Sequence, residues 1–410
     1  MAPAARSTTS HGVNNMAKVF DNATDIITFA RSSSATYLDS SGVIQSAAVD
    51  TPRIEYGSDG SLKGLLIEEQ RTNLVTYSAP STDGNLSTNR ASLVTATGVS
   101  APDGSTAIKL QEDGTAGQSH DLGTGNIMSA STTYTLSIFA KAAERDFVAL
   151  NIYSGAASYW TWFDLSTGNK GTETNSPVAA DIQPISNGWY RCSLTVTTAS
   201  TGSPNTRIYI SPSNGVLAYD GDGTSGVYVY GAQLEEGSFP TAYIPTAGSQ
   251  QTRSADLASI PVTAFGYNQQ AGTVVAEFDL VGVSPNGPTG YPRVWEVDQA
   301  NGDYIAVHSK SFPSTATFRE NESVTALNHS ETLTENTMAV IAATFTDDDL
   351  ATSLDGATAL TATPSYTLDL PTALVIGSKV GGGRFLNGHI KSIQYYPRRL
   401  TNAQLQELTS

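Results

Sequence analysis

Cysteine is all but missing from this 410-residue chain: Cys192 is the only one. A lone cysteine forms no intramolecular disulfide, so a disulfide framework is excluded. Its alternation with Tyr190 and Leu194 reads it as a small buried hydrophobe rather than a nucleophile. Charge is also scarce, at 15% of residues, and basic charge scarcest: 22 Lys and Arg stand against 38 Asp and Glu, a net charge of −16 spread along the chain. That balance argues against nucleic acid and anionic membranes as partners. No apolar run is long enough to span a bilayer, and residues 1–15 lack the apolar core of a secretory signal, so a soluble chain made in the cytoplasm is expected. The five histidines show no metal-ligand spacing, and serine-hydrolase and phosphate-loop motifs are absent.

What the chain has instead is Thr, Ser, Ala and Gly in short runs separated by turn signals, the composition of exposed β-surfaces. Residues 1 to about 15 read as a flexible arm. From Ala17 to Leu74, short apolar groups such as Leu65-Leu66-Ile67 are too small to close a domain, so this segment is expected to extend along the next domain or another subunit. Strand-like runs follow, among them Tyr134 to Lys141, Phe147 to Tyr153, Tyr159 to Leu165, Trp189 to Thr197 and Gly226 to Leu234, with turn signals and no helix between them. After a polar joint from Thr246 to Asp256, a second series runs from Gly272 to Tyr396. It ends in one helix candidate, where Thr401 and Gln404 make a capping box. The expected fold is all-β: an extended N-terminal segment (1–75), a jelly-roll sandwich (76–252) and a second, concanavalin A-like sandwich (253–410).

Several blocks carry a resemblance. Phe29-Ala30-Arg31-Ser32-Ser33-Ser34-Ala35-Thr36-Tyr37, then Thr51-Pro52-Arg53-Ile54-Glu55-Tyr56, Gly64-Leu65-Leu66-Ile67-Glu68 and Arg71-Thr72-Asn73-Leu74 resemble a block of bacteriophage tail-fibre and capsid-associated fibre proteins. Asn187-Gly188-Trp189-Tyr190-Arg191 and Gly231-Ala232-Gln233-Leu234-Glu235 resemble the carbohydrate-binding-module-like jelly roll of such proteins. Gly272 to Phe278, Leu354-Asp355-Gly356 and Leu386 to Ile390 are similar to concanavalin A-like, laminin-G-like domains. The resemblance implies a virion structural protein, a homotrimer on the tail or the capsid surface, contacting other virion proteins and displaying glycan-binding-type folds toward the host.

Three groups of residues invite a chemical reading. In Tyr159 to Leu165, alternation puts Trp160, Trp162 and Asp164 on the face opposite Phe163 and Leu165, a flat aromatic platform for a sugar ring beside a carboxylate; the competing reading has both indoles covered by a neighbouring domain or subunit. Asp220 and Asp222, with Ser225, sit in a Gly-rich acidic loop of the kind that holds one structural calcium ion, although no Glu stands at the twelfth position, so a plain turn is favoured. No other cofactor is expected. Glu277-Phe278-Asp279 and Glu296-Val297-Asp298 each begin a glycanase-like carboxylate series whose third member is missing, so no catalytic residue is assigned. The expectation is a non-enzymatic fibre, spike or decoration protein that attaches to host-surface glycan, with a polysaccharide depolymerase and a purely structural capsid cement as the alternatives.

Overall fold

The computed structural model describes residues 18–19, 26–83, 85–125, 128–282, 292–298, 304–309, 316–320, 325–331, 333–363 and 370–410. The arm expected over residues 1–15 lies outside them. Two antiparallel sandwiches account for most of the described chain, and the all-β expectation holds: apart from short turns of helix, the one helix of length is Asn402–Thr409, capped by Thr401 and Gln404 as its sequence implies.

The first sandwich packs two six-stranded sheets. One runs in the order Ala179–Pro184, Tyr190–Thr197, Thr133–Ala142, Gly226–Glu236, Thr106–Glu112, Ala91–Ser100; the other in the order Asn169–Thr174, Ser158–Asp164, Phe147–Tyr153, Asn205–Ser211, His120–Gly125, Ser87–Asn89. Strict alternation sends Leu136 and Ile138, Val148, Leu150 and Ile152, Cys192 and Leu194, and Ile208 and Ile210 into one core between the sheets. Cys192 is fully buried there, and burial pushes its thiol pKa up, which suits a packing residue.

The second sandwich is closed by the start of the chain. Its larger sheet runs Leu360–Ala362, Leu350–Leu354, Ala339–Thr346, Ala271–Phe278, Gly388–Tyr396 and then Leu62–Ile67 and Ile54–Tyr56; the facing sheet begins with Thr28–Ala30 beside Leu257–Pro261. Gly388, His389 and Ile390 pair with Ile67, Leu66 and Leu65, and Ile67 reaches the core unexposed. Gly64 makes this pairing possible: its φ is 121°, and a Cβ there would stand 2.3 Å from the Ile390 carbonyl oxygen. The segment before residue 75 therefore finds its partner surface within its own chain. Its hairpin, Ala35–Leu38 with Ile44–Ala47, lies instead on the first sandwich, where Ile44 packs with Phe139, Trp189 and Tyr243.

A buried ionic knot sits where these parts meet. Asp256 accepts from Arg31 at 3.1 Å, from Arg53 at 2.5 Å and from the Glu68 backbone N–H at 2.9 Å. Arg53 also meets Glu68 at 2.8 Å, and Arg253 approaches Glu68 and Asp256 at 3.5 and 3.8 Å. Arg31, Arg53, Arg253 and Asp256 are all but unexposed, which only mutual pairing and hydrogen bonding make tolerable. Burial opposes ionisation of Glu68, yet Arg253 and Arg53 outweigh it and hold the carboxyl down at about 2. Arg31, Arg53 and Glu68 of the N-terminal segment, with Arg253 and Asp256, are thus the joint of the molecule.

Candidate binding cleft between the sandwiches

The platform expected from the sequence forms only in part. Phe163 and Leu165 do face the core, and Trp160 and Trp162 stack on the opposite face with ring centroids 5.8 Å apart. Trp162, however, is only 3% exposed, because Tyr209 and Leu217 cover it, so the cover comes from its own sandwich and not from another subunit. Trp160 remains half-buried, against Tyr209 at 4.8 Å. Asp164 is turned away from a ligand: its Oδ1 accepts from the Ser166 and Thr167 backbone N–H groups and the Ser166 hydroxyl, capping the turn that follows its strand. The outer face of this sheet offers one indole, not a two-ring floor.

The acidic loop is organised in the same way. Asp222 accepts from the backbone N–H and hydroxyl of both Thr224 and Ser225, and these bonds depress its pKa; Asp220 accepts from the Gly117 backbone N–H at 2.8 Å. The geometry is that of a plain turn, and among the described residues no group of three or more His, Cys, Asp or Glu is placed to hold a metal. Of the paired carboxylates, Glu277 meets Lys391 at 2.6 Å on one sheet, while Glu296 meets Arg293 at 2.7 Å on the other. The Asp298 side chain lies outside the described part.

A further candidate lies elsewhere. A cleft of about 490 Å³ opens where the N-terminal hairpin and the two sandwiches converge, and its walls include Thr36, Tyr37, Gln183, Arg191, Asn336 and His389. Its floor is the outer face of the first sandwich. With Cys192 and Leu194 turned inward, Arg191, Ser193 and Thr195 point out, opposite Phe139, Ser137 and Thr135 on the neighbouring strand. Phe139, Tyr230 and Tyr243 form an aromatic cluster along the same face, with centroids 5.4 to 6.2 Å apart. Phe139 and Tyr243 are as covered as Trp162, so what the cleft offers a saccharide is the hydroxyl, amide and charged groups of its walls.

One wall is held by charge. His389 lies between Asp279, at 2.8 Å from Nδ1, and Glu55, at 2.7 Å from Nε2. Burial alone would lower its pKa, but Asp279 and Glu55 together raise it to about 9. The imidazolium therefore donates from both nitrogens at neutral pH and ties the N-terminal strand to the second sandwich; it has no lone pair for general-base work. Arg191 and Glu55 were not among the candidate site residues read from the sequence, because no local signal shows that a second module roofs the strand face carrying Arg191.

No family model matches the chain, and no curated protein matches it. Among solved structures the chain is similar to a native heptameric SAP-like pentraxin from Limulus polyphemus, at 14% identity over 35% of this chain and 73% of that one, with a TM-score of 0.27. It is similar also to Trypanosoma rangeli sialidase, at 12% identity over 78% of this chain and 62% of that one, with a TM-score of 0.30. For mouse laminin alpha1 chain domains LG4-5 the values are 11% identity, 71% and 91% coverage, and 0.24. At these scores the fold class rests on the sheets themselves, and the chemistry on the cleft.

Proposed function

We propose that the chain is a non-enzymatic surface protein of a bacteriophage particle, a fibre, spike or decoration protein, that attaches to host-surface glycan. The observation that carries the glycan reading is the cleft: a recess of about 490 Å³, the size range of small-molecule sites, with convergent hydroxyl, amide and charged groups in its walls. The virion role is supported by the resemblance of the blocks around Arg31, Arg53, Glu68 and Arg71, most of whose charged residues are engaged in the central knot. Binding without cleavage is supported by the engagement of Glu277 with Lys391 and of Glu296 with Arg293, each carboxylate held by a cation rather than free for acid–base work. The homotrimer rests on the resemblance alone, since the partner surface that the N-terminal strands need is supplied in cis.

The test has two arms. Gold-labelled antibody to the chain is expected to decorate intact particles, and co-sedimentation with purified host polysaccharide is expected to be saturable with no rise in reducing ends. Unlabelled particles would remove the virion role. Failure to bind any host polysaccharide would leave a structural cement, and reducing ends released in a manner abolished by Glu277→Gln or Glu296→Gln would make the chain a depolymerase.

A further inference from the structure

We propose that the cleft is specific for an anionic sugar, a carboxylated or phosphorylated saccharide whose oxyanion is gripped by Arg191. The inference rests on the glycan reading above and adds the class of glycan.

Arg191 stands apart from the other buried arginines. Arg31 and Arg53 pair with Asp256, Arg253 approaches Glu68, and Arg293 pairs with Glu296. Arg191 has no carboxylate within ion-pair distance among the described residues: its one hydrogen bond runs from Nη2 to the Ser137 hydroxyl at 3.1 Å, and its Nε is buried with no partner. A guanidinium carries five donors, and leaving a buried one of them idle is costly unless a ligand completes the set. Burial lowers its pKa from the usual arginine value, with Glu235, Glu68 and Glu55 acting the other way from a distance, so the group remains a cation.

The surroundings fit the same ligand. The guanidinium lies over the Phe139 ring at 5.3 Å, which fixes its plane and leaves its edge as the binding element, the fork that matches carboxylate or phosphate oxygens. Cross-strand from it, the half-buried Gln183 pairs in register with Arg191 and offers its amide oxygen to a sugar hydroxyl. The inner carboxylates of the cleft do not repel an anion unopposed: Glu55 is paired with His389, and Glu68 with Arg53. Asp181 is at the exposed rim, where it accepts from Gln183. Glu335 is likewise exposed to solvent. Lys63, half-buried, adds a second cation to the lining.

The full chain is titrated by calorimetry at low salt with three probes: a glucuronate-containing disaccharide, its carboxyl-reduced neutral counterpart, and a hexose phosphate. An acidic probe is expected to bind at least about tenfold more tightly than the neutral one, as one charge-assisted contact implies, and the carboxylate and phosphate arms distinguish the two sources of the anion. Arg191→Gln is expected to close that gap, and Arg191→Lys to restore part of it. Equal affinities in the native chain, or a gap that survives Arg191→Gln, overturn the anion specificity while neutral binding weakened by Gln183→Ala leaves the glycan reading standing. Absence of binding by all three probes removes both. Should Arg191→Gln fail to fold, the Arg191 Nε–Hε resonance of the native chain gives the same answer: it shifts on adding an acidic probe, and an unmoved resonance refutes the contact.

Discussion

Removing the Asp256 carboxylate is the sharpest perturbation of this fold. Around it stand Arg31, Arg53 and Arg253, with Glu68 as the other anion, so the site holds three cations against two anions. Asp256→Ala leaves three guanidiniums facing Glu68 alone and strips the Glu68 backbone N–H of its acceptor at 2.9 Å. Arg31 and Arg53 have unexposed side chains, so water does not replace the lost partner. Breaking one side of a buried ion pair costs about 3–5 kcal/mol, and the orphaned N–H adds about 1 kcal/mol or more. Against a stability of about 5–15 kcal/mol that is a large fraction. Urea unfolding followed by tryptophan fluorescence measures the loss. Because the knot joins the N-terminal strands to both sandwiches, limited proteolysis of Asp256→Ala is expected to cut first within residues 31–68. A loss under about 1 kcal/mol, with the native digestion pattern, would show that the charges are solvated and that the knot does not hold the parts together.

Three further outcomes are expected. The stabilisation from His389, whose pKa rises from 6.5 unfolded to about 9 folded, is fully present below pH 6.5 and lost as pH rises through 9; the loss is about 3 kcal/mol, and His389→Gln is expected to flatten urea midpoints across that window. Deleting residues 1–70 removes the strands Ile54–Tyr56 and Leu62–Ile67 and Arg31 and Arg53, and the remainder is expected to be insoluble, which expression and solubility assays check. Trp162→Ala is expected to cost about 3–5 kcal/mol, whereas Trp160→Ala, half-buried, costs about 1 kcal/mol; equal losses in thermal unfolding would contradict the packing described for this face.

Much of the β-architecture was legible in the sequence because alternation over seven or more residues admits one reading. Phe147–Tyr153 is the strand expected from its pattern, and Thr133–Ala142 and Ser158–Asp164 differ from expectation by a residue or so at each end. The capping box of Thr401 and Gln404 likewise marks its helix locally. Short polar strands such as Ser87–Asn89, Asn169–Thr174 and Ala179–Pro184 carry no such period and were missed. The site was hardest to see. Leu65, Leu66 and Ile67 find their partners more than 300 residues away, at Gly388 to Ile390, and no local signal names that edge. Arg31, Arg53 and Asp256 defeat the rule that charges stay in water, because each is legible as buried only once the others are known to be beside it. Trp162 illustrates the converse: its alternation was right, but the cover from Leu217 lies on a loop about 55 residues further along the chain.

Hydrogen–deuterium exchange on the full chain with and without saturating host polysaccharide tests most directly whether the cleft is where glycan binds. Added protection is expected together in residues 36–38, 181–195 and 239–243, segments brought together only by the fold around the cleft. Protection confined to residues 158–164 and 207–211, the face that carries Trp160, or no protection beside demonstrated binding, would contradict it.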